Sequence, residues 1–143
     1  MTAGETRTES EQELVTTIAS KVANAGATGW ARLCLEAVVL GREAHYDLGV
    51  TTADGAVASV DPGVAFHRDV KQLRELMYRE GVGTWFTMIL TLDKSGSADV
   101  QFDYDGEPRV GFELAAGAFR LDAERFPREP EHTPAWLRTK LGS

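Results

Sequence analysis

The chain has 143 residues, 43% of them apolar and 26% charged, which is one globular domain able to bury about 70% of its unfolded surface without disulfides or a metal. Fifteen Lys and Arg against 22 Asp and Glu leave a net charge of −7, so nucleic acid and anionic membranes have no electrostatic pull on it and a basic partner is favoured. A lone Cys34 excludes an internal disulfide, no apolar run approaches the about 20 residues of a membrane span, and the polar, acidic first ten residues do not read as a signal peptide, so the expected location is the cytoplasm.

Residues 1–9 lack periodicity and are expected to be a disordered tail, with 10–143 forming a single domain. Ser10-Glu11-Gln12-Glu13 fits a capping box, which predicts a helix starting at Ser10. Leu14, Ile18 and Val22, with Val15 and Ala19 beside them, give that helix one apolar face, and Gly26 is its expected stop.

Residues 30–40 and 43–51 alternate as strands, and Gly41-Arg42 suits a two-residue hairpin loop. That register pairs Val39 with Ala44, Ala37 with Tyr46 and Leu35 with Leu48, so the apolar faces coincide. It also sets Glu36 against Asp47 on the solvent face. Like charges there cost stability, so either the pairing is wrong or the arrangement is used. Turn residues at 53–55 and 61–63 bracket a short strand at 56–60, and a second helix is expected over 64–80, ended by Gly81 and Gly83.

Residues 84–92 and 98–104 form the clearest hairpin, with Lys94-Ser95-Gly96 as its loop. The register pairs Leu92 with Ala98, Leu90 with Val100, Met88 with Phe102 and Phe86 with Tyr104. Trp85 and Ile89 then share the other face with Asp99, Asp103 and Asp105. A short strand at 110–114 and helical pieces at 116–125 and 134–141 complete the chain. The order α-β-β-α-β-β-α indicates an α+β fold: an antiparallel sheet of four or more strands from two hairpins, with helices mainly on one face. Its expected core includes Leu33, Leu35, Tyr46, Phe86, Met88, Leu90, Val100 and Phe102.

Catalytic and metal-binding patterns are sparse. His45, His67 and His132 are at least 22 residues apart, Cys34 has no His signature beside it and reads as a half-buried structural thiol, and Gly81-Val82-Gly83 lacks the rest of a nucleotide loop. No enzyme activity, metal or cofactor is therefore expected. The acidic run Asp99, Asp103, Asp105 and Glu107 contains no basic residue. It reads as a solvated strand face, as a partner surface, or as a Ca²⁺ loop that lacks the third Asx ligand and distal Glu.

Three segments carry a family resemblance: Gly83-Thr84-Trp85-Phe86; Phe102-Asp103-Tyr104-Asp105-Gly106-Glu107-Pro108; and Arg125-Phe126-Pro127-Arg128 with Pro134-Ala135-Trp136-Leu137. Over 83–141 the chain resembles the YezG-like immunity proteins, the antitoxins of bacterial polymorphic toxin systems; over 10–82 only the order of elements is shared. Gly106 stands where that pattern leads one to expect another acidic residue. The resemblance implies a non-enzymatic protein that neutralises a cognate toxin domain, a nuclease or other basic enzyme, by blocking its active site. The rival reading is a small acidic dimeric secretion chaperone that grips an effector segment.

The expected partner surface comprises Trp85, Asp99, Asp103, Tyr104, Asp105 and Glu107. Tyr104 points inward with Phe102 in this register, and a C-terminal helix lying over Trp85 would make it core. The expected partner is a basic toxin domain, with no nucleic acid and no membrane, and the expected state is a monomer or weak homodimer.

Overall fold

The computed structural model describes residues 8–26 and 29–142. Among these the chain runs α1 (Glu9–Ala25), β1 (Trp30–Leu40), β2 (Glu43–Thr52), β3 (Val57–Val60), α2 (His67–Leu76), β4 (Thr87–Asp93), β5 (Ala98–Asp103), α3 (Ala116–Arg125), a 3-10 turn (Pro130–His132) and α4 (Ala135–Lys140). The fold is α+β, as expected. The strands form one antiparallel sheet in the order β3-β2-β1-β4-β5, so the two hairpins join through β1 and β4.

Helix α1 begins before the Ser10 box. Thr8 is its N-cap: the Thr8 hydroxyl accepts the Glu11 N–H at 3.1 Å, and the Thr8 N–H donates to the Glu11 carboxylate at 3.3 Å. Two capping boxes overlap in the sequence, and the earlier one brings Glu9 and Ser10 into the helix. The helix therefore starts at Glu9 rather than at Ser10; most of the expected tail, residues 1–7, lies outside the described residues. At the far end Gly26 stops the helix, and its missing side chain matters: a Cβ there would come within about 3.0 Å of Leu33.

The first hairpin has the expected register, with Leu35 opposite Leu48, Ala37 opposite Tyr46 and Glu36 opposite Asp47. Gly41 turns the chain with φ of 59°, and a side chain there would strike the Ala118 carbonyl of α3. The second hairpin matches from Leu92–Ala98 to Met88–Phe102 but departs at its open end. The expected Phe86–Tyr104 pair does not form. The ladder stops at Thr87–Asp103, and the Phe86 carbonyl accepts from Val39 while its N–H donates to Asp103. The alternation breaks there, because Phe86 and Thr87 both lie on the side away from Met88.

That break divides the core in two. On one face, beneath α1 and α2, Val15, Ile18 and Val22 meet Leu33, Leu35, Leu48, Met88, Leu90 and Val100, with Tyr46 and Phe102 half-buried at the margin. Phe86 instead joins Val38, Leu40, Leu114, Phe119 and Leu137 on the opposite face, under α3 and α4. The expected strand at 110–114 is not formed among the described residues, and Leu114 is held only by this second core. Helix α2 is also shorter than the expected 64–80. It starts at His67 after Pro62 and Gly63, and ends where Met77 leads into the turn closed by Arg79 and Gly83.

Candidate functional site

The segments that carry the family resemblance converge on Arg128. Its guanidinium donates to the carbonyls of Tyr104 at 2.5 Å, Thr84 at 3.1 Å and His132 at 2.9 Å, reaches the Asp105 carboxylate at 3.3 Å, and lies over the Phe86 ring. Burial pulls Arg128 below its ordinary pKa, and Asp105 opposes that shift. Trp136 donates from Nε1 to the Asp105 carbonyl at 2.7 Å and packs edge-on against Phe86 and Phe119. Arginine suits this position because its five donors can serve several carbonyls at once. The motif residues thus tie the C-terminal helices to the mouth of the second hairpin.

This arrangement revises the expected partner surface. Trp85 is 0% exposed; it packs in the main core against Phe102, so it cannot anchor a partner. Its Nε1 has no hydrogen-bond partner among the described residues. Tyr104 is also turned inward, with its hydroxyl 3.3 Å from the Met77 carbonyl. Trp85 is carried inward by the bend at Phe86, whereas Tyr104 turns inward beside Phe102, as its register implied.

The four carboxylates remain exposed, with differing engagements. Asp103 caps a turn by accepting the N–H groups of Asp105 and Gly106. A side chain at Gly106 would collide with that carboxylate, which accounts for glycine where an acidic residue was expected. Asp105 pairs with Arg128, and Glu107 lies 3.8 Å from Lys140. Asp99 sits opposite Thr91 within the sheet, and Asp103 ends the same ladder opposite Thr87.

Helices α3 and α4 cover only one end of the second sheet face, over Val38 and Leu40. The rest is open. Across it, cross-strand rows read Asp47–Glu36–Ile89–Gln101 and Gly49–Cys34–Thr91–Asp99, with Arg32 beside Asp93 at the end. Glu36, Asp47, Asp99 and Gln101 are exposed. Cys34 is exposed as well, not half-buried as its strand position suggested, because no helix covers this part of the face. Arg32 helps hold the Asp93 carboxyl below the usual range, after the larger effect of a Ser95 hydrogen bond. The Glu36 and Asp47 side chains have no ion pair or hydrogen bond among the described residues.

At the step between open and covered halves lies a groove of about 650 Å³, lined by Glu36, Val38, His45, Asp47 and the 109–112 segment. Phe112, 59% exposed, forms its lip with its ring edge-on to His45. Phe112 carries no periodic signal, so sequence reasoning missed it. Among the described residues no group of three or more His, Cys, Asp or Glu is placed to hold a metal ion, and no helix is long and apolar enough to cross a membrane. No protein-family model matches the chain, and no curated protein matches it.

Proposed function

We propose that this chain is an immunity protein, which binds a toxin domain made by its own cell and blocks that domain's active site in the cytoplasm. The observation that carries the reading is Glu36 facing Asp47 on a sheet face left open beside a groove. Directly opposed like charges cost about 0.2–1 kcal/mol, and a face with no role beyond solvation has no reason to retain them. A toxin that cleaves or modifies nucleic acid presents a basic surface to phosphate, and an acidic sheet face competes for that surface. Charge complementarity also speeds capture, which matters when unbound toxin does damage.

The test is coexpression with a toxin domain taken from a reading frame adjoining the gene. The expected outcome is restored growth of cells making that domain, and a complex with the folded domain that survives purification. Cells that die despite a well-expressed, folded chain overturn the reading.

A secretion chaperone is the second reading, and one feature favours it. A groove of about 450 Å³ runs between α1 and the β4–β5 hairpin, lined by Val15, Ala19, Leu90, Leu92 and Val100. It suits an extended apolar segment. A chaperone dimerises and binds its client's unfolded segment, whereas an immunity protein, as a monomer or weak homodimer, binds the folded domain. Light scattering together with binding to each form of the partner separates them.

A further inference from the structure

We infer that the groove between the open sheet face and the 109–112 segment seats an arginine side chain of the partner protein. This rests on the proposed capture of a basic toxin domain and names the contact through which it is made.

Glu36 and Asp47 are cross-strand partners, and side chains in that relation start about 5 Å apart, so their carboxylates can reach one point above the sheet. Val38, buried, forms the apolar floor next to them, and Phe112 stands at the lip with its ring largely bare. His45 is already engaged, with Nε2 3.0 Å from Glu43. The groove therefore offers two unpaired acceptors beside an exposed aromatic ring.

A guanidinium matches that combination better than an ammonium does. It is planar and weakly hydrated, it presents its donors as a fork that can bridge two carboxylates, and it stacks on aromatic rings. A lysine ammonium is a strongly hydrated point charge that gains less from the ring. Charge across the rest of the face agrees, since Asp99 is exposed and Arg32 is matched by Asp93. Arg109 lines the groove from the 109–112 segment without an ion pair among the described residues. It repels an incoming cation, so its removal should tighten binding.

The test uses the ¹⁵N-labelled full chain, titrated with hepta-arginine and, separately, hepta-lysine at 150 mM salt. Amide shifts should centre on Glu36, Asp47 and Phe112, with hepta-lysine binding more weakly. Glu36→Gln with Asp47→Asn should weaken hepta-arginine about tenfold or more. Phe112→Ala should weaken it by roughly two- to fivefold, and Arg109→Ala should strengthen it. Shifts centred on 103–107 or on α1, equal affinity for the two peptides, or no effect of these substitutions would overturn the inference. The coexpression assay separates the two claims. If Phe112→Ala and the Glu36/Asp47 variant protect cells as well as the wild type, the inference fails and the immunity reading stands. If the peptide binds in the groove but the chain gives no protection, the reading fails, and with it the partner named here.

Discussion

Arg74 of α2 and Asp122 of α3 form a buried, two-point ion pair, with Nη1–Oδ1 at 2.5 Å and Nη2–Oδ2 at 2.9 Å. The pair is bound into the sheet at both ends: Arg74 Nε donates to the Trp85 carbonyl, and Asp122 Oδ1 accepts the Gly41 N–H at the tip of the first hairpin. It therefore joins a helix on one face, a helix on the other, and the bend where Trp85 and Phe86 part. Every donor and acceptor of a buried pair needs such satisfaction, because desolvating the charges otherwise exceeds their attraction.

Asp122→Ala should accordingly cost about 3–5 kcal/mol in urea unfolding, since it leaves the Arg74 charge buried and unpaired. Arg74→Met combined with Asp122→Leu should recover a large part of that loss. A double variant no more stable than Asp122→Ala would show that the hydrogen bonds to Gly41 and Trp85 dominate.

The two aromatics Trp85 and Phe112 should behave oppositely. Trp85→Ala removes a fully buried side chain and should destabilise by about 3–5 kcal/mol. Phe112→Ala removes an exposed ring and should leave the unfolding midpoint within about 0.5 kcal/mol of wild type. A large loss for Phe112→Ala would mean that its contact with His45 holds the 109–112 segment in place.

Glu36→Gln should raise stability by about 0.2–1 kcal/mol at low salt by relieving the repulsion from Asp47. The gain should shrink in 1 M salt, where the screening length falls to about 3 Å. A lowered midpoint would reveal a stabilising partner for this carboxylate.

Tyr46 and His67 predict a dependence on pH. The Tyr46 hydroxyl lies 2.6 Å from His67 Nδ1, a hydrogen bond in which the Nε2–H tautomer of the neutral ring accepts the hydroxyl proton and which a protonated ring can make only as donor. Burial, helped by the Lys71 charge, lowers the His67 pKa, while burial raises that of Tyr46. A histidine depressed in the folded state binds more protons when unfolded, so its contribution is present above the unfolded pKa of about 6.5 and is lost as pH falls through the folded value. Thermal midpoints measured from pH 7.5 to 5 should decline on acidification, and His67→Gln should flatten that slope. An equally steep decline in the variant would assign it to other groups.

The part of the fold legible in the residues was local. Gly41-Arg42 and Lys94-Ser95-Gly96 set the hairpin loops, and period-two alternation aligned Leu35 with Leu48 and Leu90 with Val100, because turn geometry and side-chain parity act over a few neighbouring residues. The opposition of Glu36 and Asp47 was legible for the same reason. The pairing of β1 with β4, which places Ile89 beside Glu36, belonged to the tertiary structure, as did the bend that sends Trp85 and Phe86 to opposite cores. So did the meeting of Arg74 with Asp122, 48 residues apart, and the uncovered half of the sheet beside Phe112. Each depends on which distant surfaces pack together. That choice is made by the total burial and polar satisfaction of the whole chain, and no short window of residues contains it.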